Sequence, residues 1–184
     1  MDDVTIRAEE PADAASIGAV VAAAFGDPRI ATLVEDIRAT DDFVPEWSLV
    51  AVAPPPRAEV VGHVMVSWAR LVDEVEAGTE GTARRVASLS PLGVAPDRHG
   101  RGIGGALVRA VVARVDAAGE PLVVVEGDPR YYGRFGFEPS APQGIHIALP
   151  DWAPPEAAQV LRLAAYDPAY RGRVRYPSAF DGID

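Results

Sequence analysis

The stretch Leu89-Ser90-Pro91-Leu92-Gly93-Val94-Ala95-Pro96-Asp97-Arg98-His99-Gly100-Arg101-Gly102-Ile103-Gly104-Gly105-Ala106-Leu107 passes from an apolar extended run, through a turn, into a helical pattern. It turns at Pro96-Asp97 and carries glycine at 100, 102, 104 and 105. The first N–H groups of a helix lack internal acceptors, and the macrodipole adds roughly half a positive charge at that end. Glycine lets the backbone approach a phosphate with no Cβ in the way. Arg98 and Arg101 flank the turn and can add charge-assisted hydrogen bonds. The stretch therefore reads as a site for a phosphorylated ligand.

Two common phosphate loops are the alternatives. A Walker loop needs G-x-x-x-x-G-K-[ST], and the chain has no lysine. A dinucleotide turn needs G-x-G-x-x-G with an acid about twenty residues on at the tip of the next strand; Gly100, Gly102 and Gly105 carry the glycine spacing, so this reading turns on the acid. Glu126 lies at a suitable distance for the ribose acid, but a lone acid is a weak match. A nucleotide-binding protein is disfavoured on these grounds.

The string Val94-Ala95-Pro96-Asp97-Arg98-His99-Gly100-Arg101-Gly102-Ile103-Gly104 resembles the V-x-P-x-x-[QR]-x-x-G-x-[GA] signature of the GNAT superfamily of acyl-CoA-dependent N-acyltransferases. His99 stands where that family has Gln or Arg. A second string, Gly127-Asp128-Pro129-Arg130-Tyr131-Tyr132-Gly133-Arg134-Phe135-Gly136-Phe137, is similar to the Y-x-x-x-G-F signature after the family's fifth strand. The resemblance covers roughly Val4 to Ile147. It implies an α/β (α+β) fold: a mixed, mostly antiparallel sheet with a parallel, splayed central strand pair and flanking helices. It implies one domain over 1–184, with a core at about 4–149 and a C-terminal extension, 150–184, packed on or extending the sheet.

The resemblance also implies site residues. Acetyl-CoA would lie along Leu92, Gly93, Val94, Arg98, His99, Gly100, Arg101, Gly102, Ile103 and Gly104, with Tyr132 and Arg134 nearby. The Leu92 N–H would face the thioester oxygen, and Tyr132 would stand near the CoA sulfur as general acid. Glu126, at the end of a strand where α/β proteins place ligands, is the candidate general base. No metal is expected.

At 184 residues one domain is expected, long enough for a sizeable core. No apolar run approaches the ~20 residues of a membrane span. The acidic opening Met1-Asp2-Asp3 reads against a secretory leader, and cytoplasmic residence is the expectation. The formal net charge of −10 disfavours nucleic acid, because phosphate neutralisation needs a basic surface. An acidic surface suits an amine, although acidity also serves solubility alone. With no cysteine there is no disulfide, thiol nucleophile or thiolate metal site.

In chain order, Val4 to Arg7 alternates as a strand, and Pro11-Ala12-Asp13 opens a helix to about Phe25. Gly26-Asp27-Pro28 breaks it before a second helix to about Thr40. These helices line the acceptor side in the family, which makes Phe25, Phe43 and Trp47 candidate pocket walls beside the simpler reading as core aromatics. Glu9-Glu10 and Asp41-Asp42 read as solvated charges. Strands are expected over Trp47–Ala53, Val60–Leu71 and Arg85–Val94, with a polar loop from Asp73 to Gly81. His63 is a candidate base in principle, but a lone strand histidine reads as structural or exposed. Pro91 cannot donate to a ladder and signals an edge or bulge.

A helix from about Gly102 to Ala118 carries an apolar stripe, and Leu122-Val123-Val124-Val125 reads as a strand buried on both faces. A strand–helix–strand crossover implies parallel pairing. Asp128-Pro129 caps a short helix; Gly136-Phe137-Glu138 returns to a strand, and Gly144 to Leu149 continues the sheet. The tail reads as a strand over about Gln159–Ala165, paired by the resemblance with Gly172-Arg173-Val174-Arg175-Tyr176.

Acyl transfer to an amine needs a proton acceptor, since a primary amine titrates near pH 10, and a donor for the oxyanion. With no cysteine, transfer is expected to be direct. The acceptor, a small amine or a peptide, stays open. So does a homodimer, since many members of that family dimerise. The rival reading is a non-catalytic acyl-CoA-binding or regulatory module.

Overall fold

A computed structural model describes residues 4–73 and 81–183. The acidic opening and most of the polar 73–81 loop lie outside the described residues. Two compact units share the chain: Met1–Ser67 with Ser90–Arg114, and Trp68–Leu89 with Val115–Gly182.

The first unit holds β1 (Thr5–Ala8), α1 (Ala14–Phe25), α2 (Pro28–Arg38) and β2 (Phe43–Val52). It also holds the start of β3 (Val60–Val72), the end of β4 (Ala83–Val94) and most of α3 (Ile103–Ala117). β1 pairs antiparallel with β2, and β2 with β3. The break between α1 and α2 follows the local chemistry. Gly26 closes α1 at φ +65°, a left-handed conformation open to glycine. The Asp27 carboxylate then accepts from the Arg29 N–H at 2.9 Å, with Pro28 in the first turn. Ile17, Val20 and Val21 of α1 and Leu33, Val34 and Ile37 of α2 are buried. Gly62 of β3 is required by close approach: a Cβ there would lie 3.0 Å from Leu107 and 3.2 Å from Ile103 of α3.

The second unit holds the rest of β3, β4 and α3 with β5 (Leu122–Glu126), α4 (Pro129–Tyr132), β6 (Glu138–Pro139), β7 (Ile145–His146), β8 (Ala158–Arg162) and β9 (Gly172–Arg175). β5 pairs in parallel with β4 at Ala87–Val123 and Ser88–Val124, and antiparallel with β8 along all of its residues. Ala69, Leu71, Val86, Leu122, Val124, Ile145, Val160 and Val174 form one buried cluster. The strand order is β1-β2-β3-β4-β5-β8-β6, with β9 pairing β3 and β7. The sheet is mixed and mostly antiparallel; β4–β5 and β7–β9 are parallel. No helix among the described residues is long and apolar enough to cross a membrane.

Several expectations change. β2 begins at Phe43 and not Trp47: Phe43 pairs with Ser67, and the ladder shifts register before resuming at Ser48–Met65. Pro45 interrupts the alternation that would have announced the strand. The Gly144–Leu149 strand shrinks to Ile145–His146, because its ladder with β9 ends at His146–Arg173. The tail strands do not pair with each other. β8 lies on β5 and β6, while β9 pairs with β3 at Arg70–Val72 and with β7. The reason lies in their faces. Ala158, Gln159 and Val160 are all buried, suiting a strand beside β5. β9 alternates, burying Gly172 and Val174 and exposing Arg173 and Arg175.

Glu9 corrects the reading of Glu9-Glu10 as solvated. Its side chain is only 11% exposed and takes the Arg38 Nε–H at 2.7 Å. Arg38 Nη2 and the Ser48 hydroxyl donate to its other oxygen. His63 is fully buried, with Nε2 3.0 Å from Ser48 Oγ and 3.3 Å from Glu9. The Ser48 proton goes to Glu9, so Nε2 carries the histidine hydrogen, and the buried Nδ1 has no partner among the described residues. Burial lowers the His63 pKa and outweighs Glu9's opposing pull. For Glu9, burial acts upward, but hydrogen bonds from His63, Arg38 and Ser48 outweigh it and hold the carboxyl at about 2. The network ties the end of β1 to α2, β2 and β3.

Both shifts have the same sign for stability. The unfolded chain binds protons at His63 below about 6.5 and at Glu9 below about 4.5, while the folded chain resists both. Stability therefore falls as pH drops through 6.5 and again from about 4.5 towards 2. Glu9→Gln should cost about 2 kcal/mol at pH 7, because it removes the charge that accepts from Arg38 and Ser48, while Arg38 keeps its pair with Glu35. It should also flatten the stability loss below pH 4.5. Urea denaturation over a pH series tests this; wild type and variant falling in parallel below pH 4.5 would refute the assignment.

Candidate active site

The glycine turn follows β4 directly. Ala95 N–H bonds back to the Val61 carbonyl at 2.9 Å, and Pro96–Arg98 forms a single 3-10 turn. His99 folds its ring onto that turn, with Nε2 2.9 Å from the Val94 carbonyl, to which it donates. The side chain at the family's Gln or Arg position thus braces the turn from within. Gly100 and Gly102 adopt φ of +75° and +84°, and a Cβ on either would meet nothing within 4 Å. Ala106 N–H bonds to the Gly102 carbonyl, so the N–H groups of Ile103, Gly104 and Gly105 precede the first internal bond of α3. Leu92, Gly93 and Val94 are the last residues of β4.

The two turn arginines differ. Arg98 is largely covered, with its guanidinium 3.1 Å from Glu59 and 3.3 Å from Asp97. Arg101 is exposed and reaches back to the Asp97 carbonyl at 3.3 Å. Arg134 is also exposed, lying over the Tyr131 ring at 4.6 Å and donating to the Tyr131 carbonyl. Of the candidate pocket walls, Phe25 is 48% exposed, Phe43 is half-buried and Trp47 is 4% exposed.

In the second unit, the Asp128 carboxylate accepts from Arg130 N–H at 2.8 Å and starts α4. Tyr132 is 9% exposed, edge-on to Tyr131 at 5.1 Å and to Phe137 at 5.5 Å. Burial, with a smaller contribution from Tyr131, pushes its phenol well above the ordinary range. Gly127 makes room for that ring: a Cβ there would overlap Tyr132 Cε2. Gly127 is pinned on both sides, its N–H to the Ala157 carbonyl and its carbonyl to the Gln159 amide.

Glu126 ends β5. The residue as a whole is exposed, yet its carboxyl lies close enough to protein for desolvation to raise its pKa; a hydrogen bond from Tyr176 pulls partly the other way. Tyr176 is bonded in turn to the buried Ser88. Neither Tyr176 nor Ser88 was expected at a site. The tail tyrosine lies outside both sequence signatures, and a strand serine carries no signal of its own.

Residues 5–140 match the family profile described as an acetyltransferase (GNAT) domain. The chain belongs to the GNAT superfamily. This GNAT chain is 32% identical over 159 residues to the Escherichia coli (strain K12) N-acetyltransferase YhbS, covering 86% of the chain and 87% of YhbS. It is 31% identical over 137 residues to YjhQ of the same organism, covering 74% and 71%. Among solved structures, E. coli YhbS in complex with CoA superposes with a TM-score of 0.80 at 29% identity, covering 98% and 93%. A GNAT acetyltransferase from Brucella melitensis in complex with acetyl-CoA gives 0.72 at 32% identity, covering 98% and 100%.

Gly127→Ala should leave the GNAT fold intact and displace the Tyr132 ring. Near-ultraviolet circular dichroism should change while the far-ultraviolet spectrum does not, and acetyl-CoA turnover should drop at least tenfold. Unchanged turnover would mean that the position of Tyr132 does not matter.

Proposed function

We propose that the chain transfers an acetyl group from acetyl-CoA directly to an amine, small or peptidic, with the core and the 150–184 extension working as one domain. The observation that carries this reading is the open left-handed turn at Gly100 and Gly102, set at the first turn of α3. A diphosphate fits there: unpaired helix N–H groups, partial positive charge, and space that any side chain would fill. That two similar GNAT structures hold CoA and acetyl-CoA supports the ligand. In this reading Arg101 adds a phosphate contact, and Arg98 and His99 stiffen the turn.

The chemistry is an amine nitrogen attacking the thioester carbonyl. A C–N bond forms, the C–S bond breaks, and the electron pair leaves on sulfur. Glu126 takes the ammonium proton, and its raised pKa makes it a better base than an ordinary carboxylate. The Leu92 N–H stabilises the oxyanion. Tyr132 hydrogen-bonds the departing thiolate. Its phenol stays protonated across the neutral range, and a thiol of pKa near 8.5 is the stronger acid. Tyr132 therefore stabilises the leaving group as a hydrogen-bond donor, and the thiolate draws its final proton from solvent.

Calorimetric titration tests the donor: micromolar binding of acetyl-CoA is expected, with no response to ATP or NAD. Gly102→Glu should abolish that binding, since charge and bulk would occupy the diphosphate path. A folded Gly102→Glu protein that still binds acetyl-CoA would refute the site. Tyr132→Phe should lower turnover about 10- to 100-fold in an amine panel read by thiol release, with acetyl-CoA affinity nearly unchanged. Equal loss of both would make Tyr132 structural.

A further inference from the structure

The second unit brings a third group onto Glu126. Tyr176 lies just past β9, beyond the residues that match the GNAT profile. Its partly buried ring packs against the second unit's buried cluster and lies 5.0 Å from the Phe180 ring, centroid to centroid. Its hydroxyl donates to the Glu126 carboxylate and accepts from the Ser88 hydroxyl. Ser88 is buried on β4, at the last parallel pair with β5, opposite Val124. Three elements thus supply one chain of hydrogen bonds, Ser88 to Tyr176 to Glu126.

We propose that Tyr176 is a positioning residue for Glu126, its ring locked in the core and its hydroxyl aimed by Ser88 so that one carboxylate oxygen is held and the other is left for the acceptor's proton. The proposal rests on Glu126 being the base. The physical need is clear. A glutamate on an exposed strand end has three rotatable bonds, and freezing such a side chain costs conformational entropy. A base that swings through its rotamers is seldom in reach of the amine. The phenol suits the task because burial and the neighbouring carboxylate keep it protonated, so it can only donate towards Glu126. Around Glu126, β8 contributes the uncharged Ala158 and Gln159 and β4 contributes Ser88. Among the described residues Tyr176 is the titratable group that acts on it. The tail then has a function: it carries the hydroxyl that the two signature motifs lack.

The test needs no known acceptor. Protein labelled with 13Cδ-glutamate is titrated by NMR as wild type, Tyr176→Phe and Ser88→Ala, with Glu126→Gln to assign the resonance. In parallel, hydrolysis of acetyl-CoA with water as acceptor is followed against pH by thiol release. Tyr176→Phe should move the Glu126 midpoint upward, because the lost hydrogen bond favoured the ionised form. The acid limb of the rate profile should move with it, kcat should fall about tenfold, and KM for acetyl-CoA should stay within about twofold. Ser88→Ala, which leaves the ring packing intact, should shift both midpoint and limb in the same direction by less. If Tyr176→Phe fails to fold, Ser88→Ala decides: a shift supports positioning and no shift overturns it. If Glu126→Gln removes the acid limb while Tyr176→Phe and Ser88→Ala leave it at the wild-type pH with kcat unchanged, positioning is overturned and Glu126 stands as base. If Glu126→Gln retains the limb, the base assignment itself falls, and the role of Tyr176 with it.

Discussion

A parallel strand pair cannot be closed by a hairpin, and much of this chain follows from that constraint. β4 and β5 run parallel at Ala87–Val123 and Ser88–Val124, so the chain between them must cross over, and α3 is the crossover. A helix placed directly after a strand leaves its first N–H groups facing the connecting turn. Gly100 and Gly102 keep that turn free of side chains, and Gly62 lets α3 sit tight on β3. The second strand of the pair ends at Glu126, and Gly127 behind it admits the Tyr132 ring. The glycine turn and Glu126 are thus each placed by the end of an element that the crossover requires.

The parts legible in the sequence are those whose signal is local. The α3 stripe of Ile103, Leu107, Val111 and Val115 falls on buried positions, and Asp128-Pro129 starts a helix where the cap chemistry says it should. Pairing in the tail was not legible, because partner choice is a competition among strand edges far apart in the chain. β5 has two edges to satisfy and a core on both faces, so it takes β8, the tail strand with three consecutive buried residues. Glu9 failed for the same reason. Beside Glu10 it looks like surface charge, yet its partners Arg38, Ser48 and His63 arrive from 29, 39 and 54 residues away.

That network also explains a buried acid beside a neutral histidine. Desolvation opposes ionisation of both groups. Glu9 escapes it through hydrogen bonds from three side chains, and His63 yields to it. The result is an Arg38 guanidinium shared between Glu9 and Glu35, and a histidine that serves as a hydrogen-bond donor. A candidate base by residue type becomes a structural residue by environment, with no exposure through which a substrate proton could reach it.

The same desolvation gives opposite uses to the proposed catalytic pair. At Glu126 it raises a carboxyl towards neutrality, which strengthens a base that must take a proton from an ammonium. At Tyr132 it raises a phenol further from neutrality, which weakens an acid but keeps its hydrogen in place. A single burial effect thus sorts the two groups into proton acceptor and hydrogen-bond donor. Glu126 cannot be buried further without losing reach to solvent and acceptor, so its orientation has to come from elsewhere. Tyr176 meets that need from the core side: it holds the carboxylate by one hydrogen bond and offsets only part of the upward shift that makes the group basic.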